Sequence, residues 1–116
     1  MGPRSPLEVY TSSVLRLVKE EASYHREEQD QKQRIQRMEG EEGDENKEFL
    51  LNQERLALEE TRKVFPSLKL KIEDNVKTLE HLLTEEGKKG PESNVEHITA
   101  AKEAIAKAKS AEREIS

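Results

Sequence analysis

Apolar residues return along this chain at helical spacing, in three blocks separated by short turn sequences. In the first block Tyr10, Leu17, Tyr24, Gln31 and Met38 recur every seven residues, with Val14, Val18 and Ile35 close to the same face. Ser5-Pro6-Leu7-Glu8 has the form of a helix start, with Ser as N-cap, Pro at the first helical position and Glu at the third. Thr11, Ser12 and Ser13 offer a competing start. Beyond Pro6 no Gly or Pro appears until Gly40, so the spacing predicts a helix over about 6–39. Its stretch between Glu27 and Arg34 is almost entirely polar, which predicts good packing at the ends and poor packing in the middle.

Gly40-Glu41-Glu42-Gly43-Asp44-Glu45-Asn46 reads as an acidic turn, in which Asp44 and Asn46 can cap the helix that follows. That second helix is predicted over about 45–86. Leu51, Leu58, Phe65, Ile72 and Leu79 stand seven apart on its seam, completed by Leu68, Val76, Leu82 and Leu83. Pro66 interrupts it. An interior proline removes a hydrogen bond and costs about 3 kcal/mol, yet the seven-residue phase passes from Phe65 to Ile72 unchanged. A loop has no reason to keep phase, so the expectation is one long helix kinked at Pro66. Gly87 to Pro91 ends it. Ser93 and Glu96 then suggest a capping box for a third helix over about 93–115, with Val95, Ile98, Ala101, Ile105, Ala108 and Ile115 on one face.

Short connections make successive helices antiparallel neighbours. The predicted fold is therefore all-α, a single domain over 1–116: an elongated antiparallel three-helix bundle, a spectrin-like coiled-coil rod with a proline-kinked middle helix. Its helices would span roughly 50, 60 and 35 Å. Val14, Leu17 and Val18 would meet Ile72, Val76, Leu79 and Leu83 at the end that the third helix covers. The end near Gly40 and Gly43 would be a thinner two-helix hairpin.

Composition narrows what such a bundle does. Of 116 residues 32% are hydrophobic and 39% charged, with no Trp, two Phe and two Tyr, so apolar surface suffices for narrow seams between helices and not for a thick core. The net charge of −5 mixes 20 basic with 25 acidic residues, without the basic surplus that a nucleic acid requires. The absence of cysteine fits a reducing compartment. No run approaches the roughly 18 apolar residues of a membrane span, no secretory h-region stands at the start, and Pro3 and Pro6 spoil the Met1-Gly2 pattern as a myristoylation signal. A soluble cytoplasmic protein is expected.

The chemistry-bearing residues do not form a catalytic pattern. His25, His81 and His97 have neither the i, i+4 spacing of a helical zinc site nor a cysteine to join them. Gly87-Lys88-Lys89-Gly90 lacks the spacing of a phosphate loop. The Glu pairs are expected as solvated faces, because acid–base catalysis needs a pocket that displaces their pKa values. No cofactor, metal or enzymatic activity is expected. What remains is surface. Phe49, Leu56 and Leu70 lie at seven-residue phase, with Lys63 between, about 200° from the seam set by Leu51 and Leu58. Leu50 and Val64 flank them. Leu70 and Val64 are either covered by the third helix or part of a partner-binding strip; Phe49 and Leu56 are read as the strip.

The order of several of these residues resembles the tubulin-binding cofactor A family, from about Leu7 to Glu86. The matching string in the first helix is Val14-Leu15-Arg16-Leu17-Val18-Lys19-Glu20, followed by Tyr24, Ile35 and Met38; in the second it is Leu58, Glu60-Thr61-Arg62 and the interior Pro66. The resemblance implies a three-helix chaperone that holds β-tubulin folding intermediates after their release from the cytosolic chaperonin, without nucleotide hydrolysis, and passes them to other tubulin-folding cofactors. It implies a cytoplasmic, cytoskeleton-associated protein acting as a monomer or weak dimer. Candidate β-tubulin contacts are then Phe49 and Leu56, with Arg16, Lys19, Tyr24, Glu60 and Arg62 as polar or register-setting neighbours. Tyr24 falls on the seam by phase, which favours a structural role, and the four charged residues are read more readily as a plain solvated face than as contacts. The rival reading is a self-associating coiled-coil scaffold or adaptor.

Overall fold

Ser5 and Glu8 start the first helix by a reciprocal exchange: the Glu8 N–H donates to Ser5 Oγ at 3.2 Å and the Ser5 N–H donates to Glu8 Oε1 at 3.2 Å. That is the expected capping box, with Pro6 as the first helical residue. The computed structural model describes residues 4–115. From the cap the chain forms α1 (Pro6–Gly40), α2 (Lys47–Lys63), α3 (Phe65–Gly87), a single 3-10 turn (Gly90–Glu92) and α4 (Val95–Ile115). Joined across the one residue between them, α2 and α3 make the middle of three helices. No strand occurs among the described residues.

The Glu8 carboxyl lies below its ordinary value of 4.5, chiefly through the Ser5 backbone hydrogen bond, with the nearby His97 adding to it. A carboxyl depressed in the folded state contributes stability above that ordinary value and loses it as the pH falls through the folded one. Glu85 and Glu86 are lowered as well, the first mainly by the Lys88 side chain and the second mainly by the Asn94 backbone N–H. Two outcomes are expected. Ser5→Ala costs about 1 kcal/mol at neutral pH, and the wild-type urea midpoint declines as pH drops below about 4.5, both measurable by circular dichroism.

The sequence breaks the middle helix at Val64. Its backbone keeps helical dihedrals (φ −77°, ψ −24°), but its N–H donates to Thr61 O at 3.3 Å, a tightened turn. Pro66, second in α3, has no N–H to return to Arg62 O. In the first turn of a new helix the missing donor costs little. Hence α2 passes into α3 across Val64, beside the proline at which one long kinked helix was expected.

The chain packs as two units: Met1–Glu20 with Leu68–Ser116, and Glu21–Ser67. In the first, α1 contributes Leu7, Thr11, Val14 and Leu17, α3 contributes Leu68, Ile72, Val76 and Leu79, and α4 contributes Ala101, Ala104, Ile105 and Ala108. These residues fall three or four apart on each helix, the spacing of one buried stripe. The three alanines are small enough for α4 to lie close to its neighbours. Val14 and Leu79 are fully buried. The Thr11 hydroxyl is buried too, and donates to Leu7 O at 2.7 Å. Around this core Ser13 Oγ bonds Asn75 Oδ1 at 2.8 Å, and Lys69–Glu112 and Lys109–Glu80 bridge α3 and α4 at 3.8 and 3.7 Å.

Two expectations for the last helix need correction. Its N-cap is Asn94, whose Oδ1 accepts the His97 N–H at 3.1 Å; Ser93 is held by the preceding 3-10 turn, its N–H and hydroxyl both donating to Gly90 O. Val95, expected in the core, is 70% exposed because it opens the helix before the buried stripe begins. The side chain of Ile115 lies outside the described residues. Gly90 itself has φ +61°, a left-handed conformation that a side chain disfavours.

The second unit is built differently. Its buried residues are Glu21, Gln31, Ile35, Leu51 and Thr61, only two of them apolar. Charged pairs join α1 to α2: Glu28 with Arg62 at 3.0 Å, Arg34 with Glu54 at 3.1 Å and Glu39 with Arg55 at 3.9 Å. His25 stacks on Phe65 with ring centroids 4.1 Å apart. Burial raises the Glu28 carboxyl, but the hydrogen bond from Arg62 and the charges of Lys32, Arg62 and His25 together bring it below its ordinary value. The polar middle of α1 is thus seated on polar partners. One group is left over: Gln31 Oε1 is buried without a hydrogen bond among the described residues. An unsatisfied buried acceptor costs about 1–3 kcal/mol. Gln31→Leu, similar in volume, therefore stabilises the protein by about 1 kcal/mol in thermal unfolding, whereas Gln31→Ala does not.

Candidate partner-binding surface

α2 is apolar on two opposite sides. Leu51 is buried, while Phe49, Leu50 and Leu56 stand 63%, 48% and 60% exposed. At about 100° per residue, Phe49, Leu56 and Glu60 cluster on the face away from Leu51. The inward side is occupied by the pairing with α1. On the outward side Phe49 and Leu56 stay largely exposed and, with Leu50 on their flank, form an apolar pad among charged residues.

The connection Glu41–Asn46 sits beside the start of α2. Asp44 Oδ1 accepts the Asn46 N–H at 2.9 Å and Asp44 O accepts the Lys47 N–H at 3.1 Å, so Asp44 shapes the turn; Asn46 makes no side-chain cap. Gly43 is required by crowding, since a Cβ there would fall 2.7 Å from Lys47 Cβ. Lys47 Nζ turns back to Glu39 O and Glu41 O, where it meets the carbonyls at the end of α1. Met38, Leu50 and the residues of this turn line a shallow depression of about 430 Å³.

Of the candidates read from sequence, Tyr24, Phe49, Leu56, Glu60 and Arg62 belong to the second unit, and Arg16 and Lys19 to the first. Phe49, Leu56 and Glu60 share the outward face of α2. Glu60 pairs with Lys63 at 3.0 Å. Arg62 is committed to Glu28 and so links α2 to α1. Tyr24 is half-buried; Arg16 and Lys19 are exposed. Leu70 is 61% exposed, which removes it from the core, and Val64 is half-buried. The His25–Phe65 stack and the His97–Glu8 pair at 3.5 Å were not foreseen. Neither has a signal in spacing, because each joins residues far apart in the chain.

The family model for tubulin binding cofactor A matches residues 2–105, nearly the whole chain and well into α4. No curated protein and no solved structure matches.

Proposed function

We propose that this chain, which belongs to the tubulin binding cofactor A family, captures β-tubulin folding intermediates on the outward face of α2 and holds them without nucleotide hydrolysis. The family assignment carries the tubulin-binding cofactor role; the exposed pad of Phe49, Leu50 and Leu56 is the observation that supports its location. A folding intermediate displays apolar surface that aggregates. A stiff helix with a few apolar anchors among charges covers such surface reversibly, since a few central residues carry most of a binding energy. In this reading the protein is one antiparallel three-helix domain with its middle helix bent at Pro66. It works in the cytoplasm as a monomer or weak dimer, hands its client to other tubulin-folding cofactors, and offers Arg16, Lys19 and Glu60 as charged contacts for the client. Tyr24 and Arg62 act through the α1–α2 pairing.

The test is reconstitution. β-Tubulin released from chaperonin, mixed with the purified chain in nucleotide-depleted buffer, elutes as a stoichiometric complex on size exclusion. Release of free or aggregated β-tubulin under those conditions rejects the proposal. The heptad spacing of Phe49, Leu56 and Leu70 favours one second reading, a self-associating scaffold. A tight dimer in sedimentation, lost on Phe49→Ala/Leu56→Ala, identifies it.

A further inference from the structure

We infer that the outward face of α2 and the acidic connection beside it form one docking surface whose occupant is a basic amphipathic segment, Lys or Arg flanking apolar side chains. The inference rests on the tubulin-binding reading and adds the chemistry of the tubulin segment that is held. Its apolar part is Phe49, Leu50 and Leu56, with Leu50 also lining the depression at the turn.

Charge identifies the rest. Between Arg37 and Phe49 six acidic residues stand against two basic ones, a net of −4 in a chain whose total is −5. The negative charge of the whole protein is therefore gathered beside the pad. Neither basic residue offsets it: Lys47 is turned onto backbone carbonyls, and Arg37 is a single exposed cation on α1. Farther along the α1–α2 pairing Glu28 is held by Arg62 and Glu54 by Arg34. Among the described residues no cation pairs with Glu41, Glu42, Asp44, Glu45 or Glu48. Carboxylates crowded without counter-charges repel one another and project a negative potential that draws cations. A segment bringing two or three Lys or Arg relieves that repulsion while its apolar side chains cover the pad. A second copy of the chain, paired symmetrically, would set the same acidic turn against itself. A polyanion or an anionic membrane would be repelled outright.

The test uses the full chain with three ligands: β-tubulin, a fluorescent helical 14-mer of Leu and Lys, and its Leu–Glu counterpart. Glu41→Lys/Glu42→Lys/Glu45→Lys reverses the turn; Glu20→Lys/Glu92→Lys/Glu103→Lys makes the same charge change in the other unit. The turn reversal weakens both β-tubulin and the Leu–Lys peptide at least about tenfold at physiological salt, and the control reversal changes them less than about twofold. The Gln triple at the turn, which removes charge without inverting it, gives an intermediate loss in a chain of unchanged helicity. Equal weakening by the two reversals, tighter binding of the Leu–Glu peptide, or a dimer built on Phe49 overturns the inference. Failure of β-tubulin alone to bind, with the Leu–Lys preference intact, overturns the tubulin reading and leaves the surface assigned.

Discussion

Leu79→Ala lowers the unfolding free energy by about 3 kcal/mol and the melting temperature by about 10 °C. Leu79 is fully buried on α3, in the stripe with Leu68, Ile72 and Val76, and faces a core that also includes Val14 of α1 and the alanines of α4. Truncation removes the transfer energy of its methyl groups and leaves a cavity. The neighbours cannot collapse into it cheaply, because alanines already bring α4 close. Leu70→Ala, nine residues earlier on the same helix, is the internal control. Leu70 is 61% exposed, so its loss shifts stability by less than about 0.5 kcal/mol. Urea denaturation of both variants measures the contrast. Similar midpoints would mean that the core is not where α1, α3 and α4 bury their stripes.

Phe49→Ala/Leu56→Ala does the opposite: the fold is untouched and binding collapses. Both side chains are about 60% exposed and contribute nothing to the buried set of the second unit, which is Glu21, Gln31, Ile35, Leu51 and Thr61. Thermal unfolding therefore stays within about 1–2 °C of wild type. At an interface such residues become anchors, each truncation of a central aromatic or leucine costing about 2 kcal/mol or less. Together they weaken β-tubulin binding about 100-fold, mostly through faster dissociation. Arg62→Ala separates the two kinds of role. It removes the partner of Glu28, so it loosens the α1–α2 pairing and alters binding only through stability.

How much of this could be read from the chain follows from which interactions are local. The seven-residue phase from Leu51 through Ile72 to Leu79 is a property of one helix, and it located the α3 stripe and, by opposition, the exposed Phe49 and Leu56. The Ser5–Glu8 box spans four residues and was equally readable. Gln31 even fell in phase with Tyr24 and Met38, a signal of burial that its polarity obscured. Failures came where two signals competed or where partners are distant. Ser93 and Asn94 both suit an N-cap, and only the 3-10 turn claiming Ser93 decides for Asn94. Val95 matches the α4 face by spacing, but the helix starts on it. At Pro66 the unbroken register pointed to one long helix with a kink; the helical ladder tightens beside it, at Val64, where α2 passes into α3. His25 against Phe65 and Arg62 against Glu28 depend on how α1 and α2 align, which no single window reports.

The central claim is that the outward face of α2 touches β-tubulin. Replacing Leu56 with a photo-crosslinking benzoylphenylalanine tests it directly, because Leu56 is 60% exposed and lies outside the buried set. Illumination of the β-tubulin complex should give an adduct from position 56, and none from the same group placed at exposed Glu103 of α4. An adduct from position 103, or none from position 56 in a complex that still forms, would contradict the account.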